Sequence, residues 1–98
     1  MGNIKEKYKN TILEIIEKLL PTCTIYLFGS RADGSAYISS DIDVAIDNKE
    51  EIPIRTIGEI QEQLEESNIP FTVDVVDLQR TDEKFRSKVI KSGIIWKS

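Results

Sequence analysis

Phe28-Gly29-Ser30-Arg31-Ala32-Asp33-Gly34, running on to Ser40-Asp41-Ile42-Asp43-Val44-Ala45-Ile46, is the stretch whose reading decides the fold. The apolar run Ile25 to Phe28 reads as a buried strand with no polar face to offer water. Gly29-Ser30 breaks that run, and glycine is the residue that lets backbone approach a ligand closely. A second strand follows at Asp41 to Ile46 in strict alternation. Ile42, Val44 and Ile46 point one way, and Asp41, Asp43 and Ala45 the other. Two carboxylates therefore share a face that would be apolar in an ordinary core strand. At about 6–7 Å apart by the strand rise they repel by roughly 1 kcal/mol or more at an effective dielectric near 20. A divalent cation removes that repulsion, and Mg²⁺ typically takes one or two carboxylates and fills its shell with water and substrate phosphate. The N–H groups of a Gly-Ser turn would cradle the phosphate.

Working outward, the residues before the stretch read as a helix. Ile4, Tyr8, Ile12, Ile15, Ile16, Leu19 and Leu20 recur on one helical face, with Asn3 as cap, Glu6 in the capping-box position and Pro21 as the stop. Cys23, at the entrance of the first strand, reads as a small buried apolar residue. Gly29 to Ser39 reads as a loop with one helical turn after Gly29, in which Tyr37 packs beneath or faces a ligand base. Downstream, Pro53 suits the first turn of a helix whose buried face is Ile54, Ile57, Ile60 and Leu64, with Gln61, Glu62, Glu65 and Glu66 as its solvated side. Phe71 to Val76 reads as a third strand, with the acid Asp74 on the face opposite Phe71, Val73 and Val75. Asp77 reads as a turn or cap residue. Thr81 or Asp82 caps a last helix carrying Phe85, Val89 and Ile90, which Gly93 ends. Ile94-Ile95-Trp96 fits either an edge strand or a docking tail.

Strands interleaved with helices imply an α/β (α+β) layer architecture: a small mixed sheet of about three to four strands flanked by helices, spanning residues 1–98 as one domain. If the strands are neighbours, Asp74 comes beside Asp41 and Asp43 as a third carboxylate. Two metals about 4 Å apart could then clamp the attacking and leaving oxygens of a phosphoryl-type transfer. Taken singly, Asp41 could cap a turn and Asp43 could be an exposed strand residue. Their joint occurrence after Gly29-Ser30 favours a metal site.

Composition excludes several other classes. The chain has 98 residues, 13 Lys and Arg against 17 Asp and Glu, and a net charge of −4, so stable nucleic-acid binding is not expected. Histidine is absent, which removes imidazole chemistry and leaves carboxylates as the machinery. No apolar stretch reaches the roughly 20 residues that span a bilayer, and the N-terminus has no signal-peptide core. With Cys23 alone, these features imply a cytoplasmic protein. Six cations at 80, 84, 86, 88, 91 and 97 face only Asp82 and Glu83 in the last segment, leaving it +4 and the remainder −8. That segment either docks a partner or guides a nucleotide, or is a solvated helix face. A Walker lysine is missing after the glycines, Ile52 breaks an EF-hand loop, and the aspartate pair opens its strand rather than closing it as in haloacid dehalogenases.

Gly29-Ser30, Gly34 and Ser40-Asp41-Ile42-Asp43 together resemble the signature of the DNA polymerase beta-like nucleotidyltransferase superfamily. At this length they resemble its minimal nucleotidyltransferase (MNT) type, the antitoxin paired with HEPN toxins. The resemblance implies that Asp41 and Asp43 bind the metal carrying the nucleoside triphosphate. Asp74 would join them on a second metal and activate the attacking hydroxyl. Gly29 and Ser30 would hold the β- and γ-phosphates, Ser40 would seat the triphosphate or orient the loop, and Arg31 would reach the triphosphate or pair with Asp33. Two Mg²⁺ ions and ATP are implied, with AMP moved to a hydroxyl, such as that of a tyrosine, on a HEPN-type partner. The alternative is a non-catalytic binding subunit that neutralises the partner. Asp33 departs from the family, which often carries a basic residue there.

Overall fold

The computed structural model describes residues 4–29 and 41–98. Ser30, Arg31 and Ser40, the helical turn expected after Gly29, Tyr37 and the Asn3 cap lie outside them. The described elements run α1 (Glu6–Leu19), β1 (Thr24–Phe28), β2 (Ile42–Asp47), α2 (Ile54–Glu65), β3 (Val73–Asp77), a 3₁₀ turn (Leu78–Arg80), α3 (Glu83–Ser92) and β4 (Ile94–Lys97). The four strands form one sheet in the order β3-β2-β1-β4. β1 is antiparallel to β2 and to β4, and β2 is parallel to β3. A parallel pair cannot be closed by a tight turn, and α2 supplies the crossover between β2 and β3. The mixed α/β sheet expected from the sequence is therefore present, and Ile94–Lys97 is its edge strand.

Alternation along each strand divides the structure into two unequal layers. Ile25 and Leu27 of β1, Ile42, Val44 and Ile46 of β2 and Val73 of β3 are buried beneath α1 and α2 with Ile12, Ile15, Ile16, Ile60 and Leu64. Each such side chain contributes about 1.5–3 kcal/mol on leaving water. On the other face a smaller cluster joins Tyr26, Ala45, Leu78 and Val89, with Phe28 and Phe85 packed against it. α3 is the helix of that face. Phe85 N–H donates to the Asp82 carboxylate at 2.7 Å, so Asp82 caps α3, and Gly93 ends it.

Several local expectations are corrected. α1 begins at Glu6 behind Lys5 without a side-chain cap. Ile54 is 72% exposed, because it lies six residues before Ile60 and hence about 120° round the helix. Ile52, just ahead of Pro53, fills the core instead and is fully buried. β3 starts at Val73, two residues later than expected, although the preceding Thr72 carbonyl still accepts the Ile42 N–H at 2.9 Å. Gln61 is not a solvated residue. Its side-chain amide donates to the Val73 carbonyl at 2.5 Å, and its Oε1 accepts from the Val75 N–H at 3.3 Å. It thus occupies the outer edge of β3 as a further strand would, which protects an otherwise open edge.

The C-terminal cations are also partly absorbed by the fold. Arg86 donates to the Leu78 and Thr81 carbonyls. Lys97 donates to the Cys23 carbonyl at 2.8 Å. Arg80 donates to the Ile52 carbonyl and pairs with Asp77 and Glu51. The exposed basic face of α3 is therefore Lys84, Lys88 and Lys91.

Asp77 knots β3 to the start of α2. Its nearly buried carboxylate accepts from Ile52 N–H at 2.7 Å and Gln79 N–H at 3.0 Å, and faces Arg80 Nε at 3.4 Å. Asp77→Ala should cost about 2–4 kcal/mol, since two amides and a guanidinium lose a buried acceptor. Glu51→Ala, at the exposed end of the same network, should cost less than about 1 kcal/mol. Urea unfolding of both variants checks the contrast, and equal small losses would show that the knot is not structural.

Candidate active site

Among the described residues, the face opposite the main core is covered along only part of its length. Tyr26 pairs across the sheet with Ala45, and Phe28 with Asp43. Asp43 in turn lies in parallel register with Asp74, and Ala45 with Val76. Moving towards the end of β1 and the starts of β2 and β3, the face therefore changes from the Tyr26–Ala45 cluster under α3 to carboxylates. Adjacent strands lie roughly 4.8 Å apart. Asp43 and Asp74 are thus direct neighbours, and Asp41 sits two residues upstream of Asp43 at the exposed lead into β2.

Asp43 is half-buried, whereas Asp41 and Asp74 are exposed. Burial pushes the Asp43 carboxyl above the ordinary carboxylate range, and the neighbouring charges of Asp74 and Asp41 push it further the same way. Both effects disfavour its ionised form. Gly29 closes the site from β1. Its φ is +79°, a conformation natural to glycine. A Cβ added at Gly29 would collide with the Asp43 carboxylate. Any larger residue would thus both strain the turn and press on the most buried acid of the site.

Asp77 does not belong to this group. Three residues beyond Asp74 along β3, it faces the opposite side of the sheet, with its oxygens engaged as described above. Asp41, Asp43, Asp74 and Gly29 are brought to one end of one face. The positions of Ser30, Arg31 and Ser40 lie outside the described residues. Among the described residues no group of three metal-ligating side chains closes on one point. Three like charges have no electrostatic reason to converge without a cation between them. The donor set is nevertheless hard oxygen throughout, one acid is disfavoured in its charged form by burial and by its neighbours, and Gly29 beside it carries no side chain. Those features suit Mg²⁺ with substrate phosphate.

A cleft of about 270 Å³ continues from Gly29 along α3, with Phe28, Phe85 and Val89 among its lining residues and Lys88 and Ser92 on the helix. The sequence reading did not single it out. Its signal was the spacing of 85, 88 or 89, and 92, which puts these residues on one side of a helix.

The raised Asp43 carboxyl has a thermodynamic consequence. Unfolded aspartate ionises near its ordinary value, whereas the folded chain holds the proton to higher pH. The Asp43 contribution to stability is thus fully present below about pH 3.8 and is lost as pH rises through its folded-state value. In metal-free buffer, Asp43→Asn should become progressively more stable than the unsubstituted chain as pH is raised from 4 towards neutrality. Thermal melts in EDTA check this, and a variant that is less stable at neutral pH would make Asp43 a structural residue.

Comparison with known proteins agrees with this fold. Residues 10–98 match the family model described as polymerase beta, nucleotidyltransferase. The chain is 32% identical over 93 residues to a probable protein adenylyltransferase, MntA, of Haemophilus influenzae, covering 95% of this chain and 82% of that protein. A crystal structure of a toxin–antitoxin with AMP-PNP superposes at a TM-score of 0.76 with 27% identity, covering 90% of this chain and 71% of the other. A structure of tri-AMPylated Shewanella oneidensis HEPN toxin in complex with MNT antitoxin shares the fold at a TM-score of 0.73, with 23% identity and coverage of 95% and 71%. With nearly its whole length matched, and with paired acids at the start of β2 beside a glycine turn, the chain belongs to the polymerase beta nucleotidyltransferase family.

Proposed function

We propose that the chain transfers AMP from ATP to a side-chain hydroxyl of a HEPN-type toxin and thereby acts as an antitoxin. The observation that carries the reading is the register of β1, β2 and β3. It sets Gly29, Asp43 and Asp74 side by side on the uncovered end of one sheet face. The similarity to a protein adenylyltransferase supports AMP as the group moved and a protein as the acceptor. The similarity to a toxin–antitoxin with AMP-PNP supports ATP and a toxin partner.

In this reading Asp41, Asp43 and Asp74 would hold two Mg²⁺ ions, which when bound neutralise the triphosphate and acidify the acceptor hydroxyl. The exposed backbone at Gly29 admits the phosphate chain closely, because Gly29 itself carries no side chain. The roles of Ser30, Arg31 and Ser40 towards the phosphates rest on the sequence resemblance. Asp74, on the β3 side of Asp43, orients the acceptor hydroxyl and draws off its proton. The hydroxyl oxygen forms a bond to the α-phosphorus, the α–β bridging bond breaks, and pyrophosphate leaves. Lys84, Lys88 and Lys91 give an acidic partner a surface on which to dock.

Two variants test the assignment. After co-expression with the HEPN-type protein, the unsubstituted chain should add one or more AMP-sized increments to the partner's intact mass, and Asp43→Asn should lower transfer by on the order of 10²–10³-fold. A partner still neutralised with no added mass would make the chain a non-catalytic binding subunit instead. Asp74→Ala should lower turnover far more than ATP affinity, since its part is played towards the acceptor. Equal loss of both in rapid-mixing and equilibrium-binding measurements would assign Asp74 to nucleotide binding.

A further inference from the structure

One polar side chain stands among the acids of the open face without a part in the chemistry above. Val73 is buried in the main core, so strand alternation turns Thr72 and Asp74 to the opposite face, where both are exposed. The Thr72 carbonyl accepts the Ile42 N–H at 2.9 Å, which carries the β2–β3 pairing one step ahead of the Ile42–Val73 pair. Thr72 therefore stands beside Asp41 across the strands, roughly 4.8 Å away between backbones, and about 6–7 Å from Asp74 along β3. It flanks two acids of the site.

Its hydroxyl is also uncommitted. The Thr11, Ser67, Thr81 and Ser92 hydroxyls each donate to a backbone carbonyl three or four residues earlier. Among the described residues the Thr72 hydroxyl has no such partner. A threonine on an exposed strand face is common, because its branched side chain suits the pleat. Its place relative to the reacting groups is what sets Thr72 apart. Along the strand order β3-β2-β1, Thr72 and Asp74 lie on one flank of Asp43, and Gly29 lies on the other. Displacement at phosphorus puts the attacking and leaving oxygens roughly in line on opposite sides. With the leaving phosphates at Gly29, the acceptor has to arrive over β3, past Thr72 to Asp74.

We propose that Thr72 is an acceptor-binding residue, whose hydroxyl hydrogen-bonds the polypeptide backbone beside the residue that receives AMP. The inference rests on the transferase reading above and adds how the chain recognises its acceptor outside the reacting hydroxyl. A threonine hydroxyl both donates and accepts, as a backbone N–H and C=O require, whereas the ionised acids around it only accept. The contact is made equally before and during transfer, so it lowers the KM for the partner and leaves kcat alone. A neutral hydrogen bond of this kind changes affinity by roughly three- to tenfold.

Thr72→Val removes the hydroxyl at constant shape, and Thr72→Ser keeps it; thermal melts verify that both variants are folded. Steady-state transfer of labelled AMP to the HEPN-type protein gives kcat and KM, and calorimetry gives ATP affinity in Mg²⁺ buffer. Thr72→Val should raise the KM for the partner roughly three- to tenfold with kcat and ATP affinity unchanged, and Thr72→Ser should restore it. An unchanged KM in Thr72→Val would overturn the acceptor contact and leave the transferase reading intact. Weaker ATP binding in Thr72→Val would overturn it as well, because the hydroxyl would then serve the nucleotide. A fall in kcat at constant KM, or a Thr72→Ser variant as impaired as Thr72→Val, would likewise count against it. An unsubstituted chain that transfers no AMP would overturn the reading on which the inference stands.

Discussion

Strand β2 carries opposite demands on its two faces, and the rest of the structure follows from how they are met. Ile42, Val44 and Ile46 are fully buried beneath α1 and α2. On the reverse face Ala45 is equally buried under α3, but Asp43, two residues earlier, is only half covered. α3 thus stops short of the strand's beginning. Covering Asp43 completely would bury a carboxylate among carboxylates, a cost of several kcal/mol without a cation or a full set of donors. Leaving the whole face bare would expose Tyr26, Ala45 and Leu78. The half-covered sheet is the arrangement that satisfies both constraints, and it is also what creates an open site bounded by a cleft.

Acids serve two separate purposes in this chain, and the pleat keeps them apart. Asp77 stands three residues after Asp74, so the two carboxylates emerge on opposite faces. Asp77 is surrounded by donors: two backbone amides and the Arg80 guanidinium. Asp43 is partly buried and has acids for neighbours, and its proton affinity rises accordingly. Such contrast between a carboxylate ringed by donors and one flanked by acids marks Asp43 as the candidate for chemistry and Asp77 as a keeper of the fold.

Much of this was readable from residue order, for a physical reason. The period of two in β2 is independent of tertiary context, so Asp41 and Asp43 had to share a face once that segment was a strand. Glycine-serine read as a turn that admits phosphate; that Gly29 also lies so close to Asp43 that a Cβ would collide with it came only with the fold. What escaped the reading depends on long-range placement. Gln61 looks like any polar residue on a helix flank until β3 arrives beside it and offers an unpaired edge. Arg80, Arg86 and Lys97 count as surface charge until the carbonyls they serve are known, and for Lys97 these lie more than seventy positions away. Ile54 failed for a simpler cause: Ile52 took its place in the core from outside the helix, where helical periodicity gives no guide.

The pairing of β4 with β1 also dictates an order of events during synthesis. β1 is an interior strand, yet one of its two neighbours is built from Ile94–Lys97, and Lys97 alone reaches back to the Cys23 carbonyl. When the ribosome has made β1, β2 and β3, the sheet still has an open inner edge and the Tyr26 side lacks α3. Contacts this distant along the chain are slow to form, because loop closure must precede them. The nascent sheet therefore waits, incompletely formed, until residues 94–97 are free of the exit tunnel. The face that bears Gly29, Asp43 and Asp74 gains its last supporting strand only when that late segment has joined β1.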